Sequence, residues 1–153
     1  MALDALDRRL LEQLQHDASQ TNQALAHAVG LSPSACLKRV KRLKEAGVIV
    51  QQVVLLDPQK LAPSLHMVVE IIMARDHRAL YQRFVERVMQ EDEVKQCYQV
   101  TGEVDFVLIV EVVSMEAYDD FCDRVLYTDD NLQKFRTLIS RQRNKFVTHR
   151  ALS

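Results

Sequence analysis

Five cations crowd one stretch of a chain whose formal net charge is −1. Lys38, Arg39, Lys41, Arg42 and Lys44 fall between Ser32 and Gly47, against the single acid Glu45. Basic side chains at that density make a local positive footprint suited to the phosphates of nucleic acid. Other chemistries find no comparable constellation. His16, His27, His66, His77 and His149 are scattered, with no His-x-x-x-His pair to hold a metal. Cys36, Cys97 and Cys122 are odd in number and far apart, so they read as reduced thiols rather than a disulfide framework or a zinc knuckle. No Gly-rich phosphate loop, nucleophile with its base or carboxylate pair stands out, so catalytic and metal-ligating residues are expected to be absent.

The elements around the cluster give it a destination. Leu6, Leu10, Leu11 and Leu14 recur at helical spacing, which predicts a first helix over Asp4 to Asp17 with acids at its N-terminal end. Thr21 or Asn22 can cap a second helix carrying Leu25, Ala26 and Val29, and Gly30 stands where a left-handed residue would stop it. Ser32-Pro33 then starts a third. On a helical wheel, Cys36, Leu37 and Leu43 cluster about Val40 as the buried face. Ser34, Ala35, Lys38 and Arg42 oppose them, Arg39 and Lys41 flank, and Lys44 must snorkel. A short helix, a tight turn and a helix with a basic outer face make a helix-turn-helix able to enter the DNA major groove.

After Gly47, "VIVQQVVLLDP" is β-rich and suggests a two-stranded wing or a strand leading out of the first domain. Downstream, "LHMVVEIIM", "VKQCYQVTG", "DFVLIVEVV" and "FRTLISRQRNKFV" read as strands, and "RALYQRFVERVMQ" and "MEAYDDFCDRVLY" as helices. The order β-α-β-β-α-β predicts an α+β, ferredoxin-like domain with both helices on one face of an antiparallel sheet. Val68, Ile71, Val107 and Ile109 would line the other face, which calls for a second copy to cover it. The predicted domains are 1–58 and 65–153, joined by a linker over 59–64. No apolar run is long enough for a membrane helix and the acidic N-terminus is unlike a signal peptide, so a cytoplasmic protein without membrane contact is expected.

The chain resembles the Lrp/AsnC, or feast/famine, transcriptional regulators. The stretches that carry the resemblance are "LDALDRRLLEQLQHD", "ALAHAVGLSPSACLKRVKRLKEAGVI", "LLDP", "VTGEVDF" and "MEAY", spanning about Leu3 to Phe146. The resemblance implies a winged helix-turn-helix joined to an effector-binding and oligomerisation domain, in homodimers assembling to octamers on double-stranded DNA. It implies regulation of amino-acid metabolism or transport genes, no cofactor, and a free amino acid as effector. Ser32, Ser34, Lys38, Arg39 and Arg42 match positions that face DNA. Thr101, Gly102, Glu103 and Asp105 match a turn that contributes to an amino-acid pocket between dimers. Tyr98, Val100, Met115, Leu138, Ile139 and Ser140 match positions that line the effector or respond to it.

That turn also makes physical sense as a ligand site: Gly102 permits close backbone approach, exposed N–H groups can bind a carboxylate, and Asp105 can pair with an ammonium. The competing reading is a hairpin turn capped by Asp105. The chain departs from the family pattern at Ala18-Ser19 after the first helix, at Gln51-Gln52 in the wing, and over Tyr127–Phe135 before the last strand. An architectural DNA-binding protein of low sequence specificity, indifferent to small molecules, is the second reading.

Overall fold

Side-chain caps divide the N-terminal sequence into three helices. The computed structural model describes residues 2–152, so positions 1 and 153, the outer limits of the two expected domains, lie outside the described residues. Helices α1, α2 and α3 span Ala5–His16, Asn22–Val29 and Pro33–Glu45. Asp4 and Asp7 form a reciprocal capping box, each carboxylate accepting the other's backbone N–H, at 2.8 and 3.2 Å. Thr21 rather than Asn22 caps α2, accepting from the Ala24 N–H at 3.2 Å, and Gly30 ends it at φ 74°. Ser32 caps α3 ahead of Pro33.

The three helices bury Leu10, Leu25, Ala26, Val29 and Cys36 against one another, with Val40 partly covered. Leu43 is fully buried as well. The predicted buried face of α3 is too wide, because Leu37 is 59 % exposed. Of its apolar side chains, Cys36 and Val40 join the core shared with the other helices, and Leu43, three residues on, is buried as well. The β-rich stretch after Gly47, expected as a wing or as a strand leading out of the first domain, forms neither: residues 48–57 contain no strand, and Val50, Val53 and Val54 remain exposed. A β-prone segment needs a partner for its backbone, and the described residues offer it none.

The remaining elements form the second unit. Strands β1 (Leu65–Met73), β2 (Val94–Gln99), β3 (Phe106–Val112) and β4 (Leu132–Ile139) alternate with helices α4 (Arg78–Val88) and α5 (Met115–Phe121). A π-helical turn over Cys122–Leu126 extends α5. The sheet order is β2-β3-β1-β4 with every neighbouring pair antiparallel. This is the split β-α-β arrangement that the element pattern predicts. β4 begins three residues before Phe135 and ends at Ile139, so "SRQRNKFV" lies beyond it.

Alternation along the strands separates the faces. Met67, Val69, Ile71, Phe106, Leu108 and Val110 are fully buried with Phe84, Phe121 and Leu126 beneath the helices. Ile71 therefore belongs to the helix-covered core and not to the open face. The open face carries Val68, Ile109, Val107 and Leu138 at its centre, with a Glu70–Arg136 ion pair across β1 and β4.

Two compact units result: the residues up to Leu56 with those from Lys145 onward, and Asp57–Asn144. The element pattern places the last nine residues with the sheet. Instead Arg150 is held on α1, its N–H donating to Gln15 Oε1 at 2.6 Å and its carbonyl accepting from Gln15 Nε2 at 3.1 Å.

The loop before β4 is built around Asn131, which is 1 % exposed. Its side chain accepts from the Arg75 N–H and donates to the Arg75 carbonyl, both at 3.1 Å, while its own carbonyl accepts from Ala74. Asp129 meanwhile accepts from the Asn131 N–H and pairs with Arg87. Asn131→Ala should strip both side-chain bonds from a buried loop and destabilise the sheet unit by about 1–3 kcal/mol. Thermal unfolding followed by circular dichroism checks this, and an unchanged midpoint would show that the loop holds without it.

Candidate nucleic-acid interface and effector site

The cations of α3 do not all point to solvent. Arg42 Nη2 donates to both oxygens of Asp7, at 2.6 and 2.7 Å. Arg39 Nη1 reaches Asp7 at 2.8 Å and Asp4 at 2.6 Å. Asp7 is 1 % exposed, so a buried carboxylate receives two guanidinium groups as well as the Asp4 N–H. Such charge-assisted bonds fix the angle between α1 and α3. The Arg39 hydrogen bond is the main reason that the Asp4 carboxyl is held below its ordinary range, and Arg39 itself is raised in return.

The five sequence-predicted DNA contacts therefore differ in what they can offer. Ser34 and Lys38 are exposed on the outer face. The Ser32 hydroxyl accepts from the Ala35 N–H at 3.3 Å and lies 3.3 Å from Ser34 Oγ at the helix start. Arg42 is half exposed and Arg39 a quarter exposed, and both are anchored to α1 rather than unengaged. Lys41 pairs loosely with Glu45, and Lys44, instead of snorkelling along the apolar side, is exposed and donates to Gln52 Oε1 at 3.1 Å. The sequence does contain the signal for the anchor, in acids three residues apart at the start of α1 facing arginines three apart on α3. Their partnership depends on how the helices pack.

In the second unit, the turn from Val100 to Asp105 joins β2 to β3. Gly102 adopts φ 138°, a conformation that side-chain-bearing residues rarely take. The Val100 N–H donates to the Asp105 carbonyl at 2.9 Å and closes the turn. The Asp105 carboxylate is latched inward: Oδ2 accepts from the Met73 N–H at 2.7 Å and Oδ1 from the Tyr81 hydroxyl at 2.5 Å. That bond, with burial of the ring, pushes the Tyr81 phenol up to about 12. Thr101, Gly102 and Glu103 remain exposed at the tip.

The ten effector candidates split into two groups. Tyr98 and Val100 to Asp105 lie at the end of the sheet where β1 finishes. Leu138, Ile139 and Ser140 lie where β1 begins, since Leu138 and Ile139 pair with Val68 and Met67 and the Ser140 N–H donates to His66. Met115, just after β3, belongs with this second group. Four residues of β1, roughly 13 Å, separate the Ile71 level from the Met67 level. Tyr98 and Leu138 occupy opposite edge strands of the open face, while Ile139 alternates to the other side. An open groove of about 530 Å³ beside α4, lined by Tyr81, Gln82 and Gln99 among others, contains none of the ten. Among the described residues no group of His, Cys, Asp and Glu could hold a metal ion, and no helix is long and apolar enough to cross a membrane. Burial raises all three cysteine thiols, which keeps them protonated rather than nucleophilic.

Comparison with known proteins agrees with both units. Residues 3–50 match the winged helix-turn-helix DNA-binding model, and residues 66–147 match the Lrp/AsnC ligand binding domain. The chain belongs to the Lrp/AsnC family of transcriptional regulators. It is similar to the DNA-binding transcriptional activator DecR of Escherichia coli, at 36% identity over 95% of this chain and 96% of that one. An AsnC family regulator from Agrobacterium tumefaciens superposes with TM-score 0.86 at 33% identity, covering 96% of this chain and 95% of the other. A transcriptional regulator of Neisseria meningitidis, solved as an L-Met complex, gives 0.85 at 30% identity over the same shares. These relatives are regulators with a DNA-binding and a ligand-binding domain, not enzymes.

Two outcomes test this geometry. Asp7→Asn keeps an acceptor for the Asp4 N–H but removes the charge facing two arginines. It should lower the stability of the helical unit by roughly 1–3 kcal/mol. Hydrogen exchange at α3 amides reads the change, and undiminished protection would mean that α3 is positioned by apolar packing alone. Tyr81 is raised in the folded chain above its ordinary value of 10. The stability it contributes is therefore complete below pH 10 and lost as the pH climbs towards about 12. Ultraviolet titration of Tyr81→Phe should lack one phenol that ionises near 12 in the wild type.

Proposed function

We propose that this regulator binds specific DNA sites near genes of amino-acid metabolism or transport, and that a small amino acid bound between dimers modulates that binding. The observation that carries the reading is the split of the effector candidates. One chain holds the Thr101–Gly102–Glu103 tip at one end of its sheet and Leu138, Ile139, Ser140 and Met115 at the other. A pocket using both groups has to draw them from different copies. The partly covered face around Val68, Ile109 and Leu138 supports a homodimer, and assembly of dimers to an octamer would bring opposite sheet ends together. The L-Met complex of the Neisseria relative supports an amino acid as the ligand class.

In this mechanism the roles within the turn are divided. Asp105 is already bonded to Met73 and Tyr81, so it shapes the turn, and its remaining lone pairs can still face an ammonium. Glu103 at the exposed tip is the second carboxylate for that ammonium, and the backbone around Gly102 can approach the ligand carboxylate closely. At the DNA, Ser32 and Ser34 meet phosphates at the start of α3, Lys38 projects into the groove, and Arg42 uses the nitrogens that Asp7 leaves open. Arg39 orients α3 by holding on to Asp4 and Asp7 at the start of α1. The amino acid alters DNA binding to the extent that it binds one assembly more tightly than another.

Fluorescence anisotropy of the purified protein on its own upstream DNA, against scrambled DNA and with each of the twenty amino acids, tests the reading. Upstream DNA should bind at least about 10³-fold more tightly than scrambled DNA, and one amino acid should shift that affinity. Glu103→Ala should weaken the shift while leaving the melting temperature unchanged. Equal binding to both DNAs would favour the architectural reading, and indifference to all twenty amino acids would remove the effector.

A further inference from the structure

The chain crosses between its two units twice, and the returning segment is basic. From Arg141 to Leu152 it carries Arg141, Arg143, Lys145 and Arg150 and no acid. From Leu10 to Leu37, by contrast, there is no lysine or arginine. The end of α1, the turn after it and all of α2 therefore bring no permanent cation to a DNA-binding unit. That is the region on which the returning segment is seated. Gln15 grips both backbone groups of Arg150, and the His149 ring lies 5.4 Å from that of His16.

The position has a geometric consequence. The turn from Asp17 to Gln20 leads directly from Gln15 and His16 to the start of α2, and Gln20 Nε2 bonds back to the Gln13 and Asp17 carbonyls. The start of α2 is tied in turn to the start of α3, where Asn22 Nδ2 donates to the Pro33 carbonyl at 2.8 Å. Arg150 thus lies at the end of the helical unit where α2 and α3 present their N-termini. Helix N-termini favour anions, and a cation beside them reinforces the same preference. Lys145 and Arg150 are both exposed.

We infer that residues 145–152 form a basic strap on the DNA-binding unit, in which Lys145 and Arg150 contact phosphates that the N-terminal helices leave without a cation. The inference rests on DNA binding by this unit. It adds a second, sequence-remote contact surface to the one on α3. Because these contacts go to phosphates, they raise affinity for all duplexes alike and carry no base preference.

The test is the salt dependence of binding to a scrambled duplex, measured by anisotropy on the full chain. Each phosphate contact contributes about 0.9 to the slope of log K against log salt. The double variant Lys145→Gln/Arg150→Gln should lower the slope by about 1.8 and weaken upstream and scrambled DNA by the same factor. Arg150→Lys should keep the slope of the wild type, since the charge is retained. Gln15→Ala, which releases the strap without altering charge, should weaken binding in the same direction. An unchanged slope in the double variant would overturn the inference. So would an equal loss with Arg83→Gln, an exposed cation on α4, because the effect would then be one of net charge. A wild-type chain that binds no duplex would instead bring down the DNA-binding reading itself.

Discussion

The buried carboxylate of Asp7 is the constraint on which the DNA-binding unit depends. One side chain closes the N-terminal cap of α1 and receives two arginines from α3, so the first and third helices cannot rotate independently. The apolar core beneath it is small, built on Leu10, Leu25, Ala26, Val29 and Cys36. Apolar contacts of that kind are non-directional and fix the distance between helices better than their orientation. Charge-assisted hydrogen bonds, with their short lengths and defined directions, supply the missing angular restraint. A buried carboxylate has a large desolvation cost, and two guanidinium groups offset it.

The same arrangement changes how the charge of α3 should be understood. Five basic residues on one helix suggest a uniformly cationic face, whereas two of them are held by acids of α1 and a third pairs with Glu45. Lys38, Lys41 and Lys44 stay exposed, with the outer half of Arg42, whereas Arg39 is largely taken up by α1. Some members of the cluster thus orient the helix while others stay displayed at its surface. The basic return of the chain to α1 fits this economy, because it places exposed cations where the helices themselves have none.

The second unit follows a related logic with a different carboxylate. Asp105 bonds the Met73 N–H and the Tyr81 hydroxyl, joining the β2–β3 turn to the end of β1 and to the first turn of α4. Asn131 fastens the loop before β4 to the residues just after β1. Three connections at one end of the sheet are therefore cross-linked by buried or half-buried polar groups. The exposed tip at Thr101–Glu103 is displayed on a rigid base, which suits a ligand contact better than a free hairpin would.

Much of this was legible in the chain before folding. Caps at Asp4, Thr21 and Ser32, the stop at Gly30 and the alternation in Leu65–Met73 and Phe106–Val112 are local signals. They act over a few residues, so the elements and their order can be read from them. Family resemblance in "GLSPSACLKRVKRL" and "VTGEVDF" rests on the same local grammar. Other features depended on which surfaces meet. Leu37 satisfies the helical wheel yet is exposed, because burial needs a neighbour on that side. Ile71 lies under the helices because the strand's phase relative to the core, not its composition, decides its face. "VIVQQVVLL" has strand propensity but no partner for its backbone. The pairing of Asp7 with Arg39 and Arg42, the latch at Asp105 and the return of Arg150 to Gln15 join residues 24 to 135 positions apart. Sequence by itself determined the elements and their family; tertiary structure alone decided which charges are neutralised and which are displayed, because electrostatic partners are chosen by distance in space.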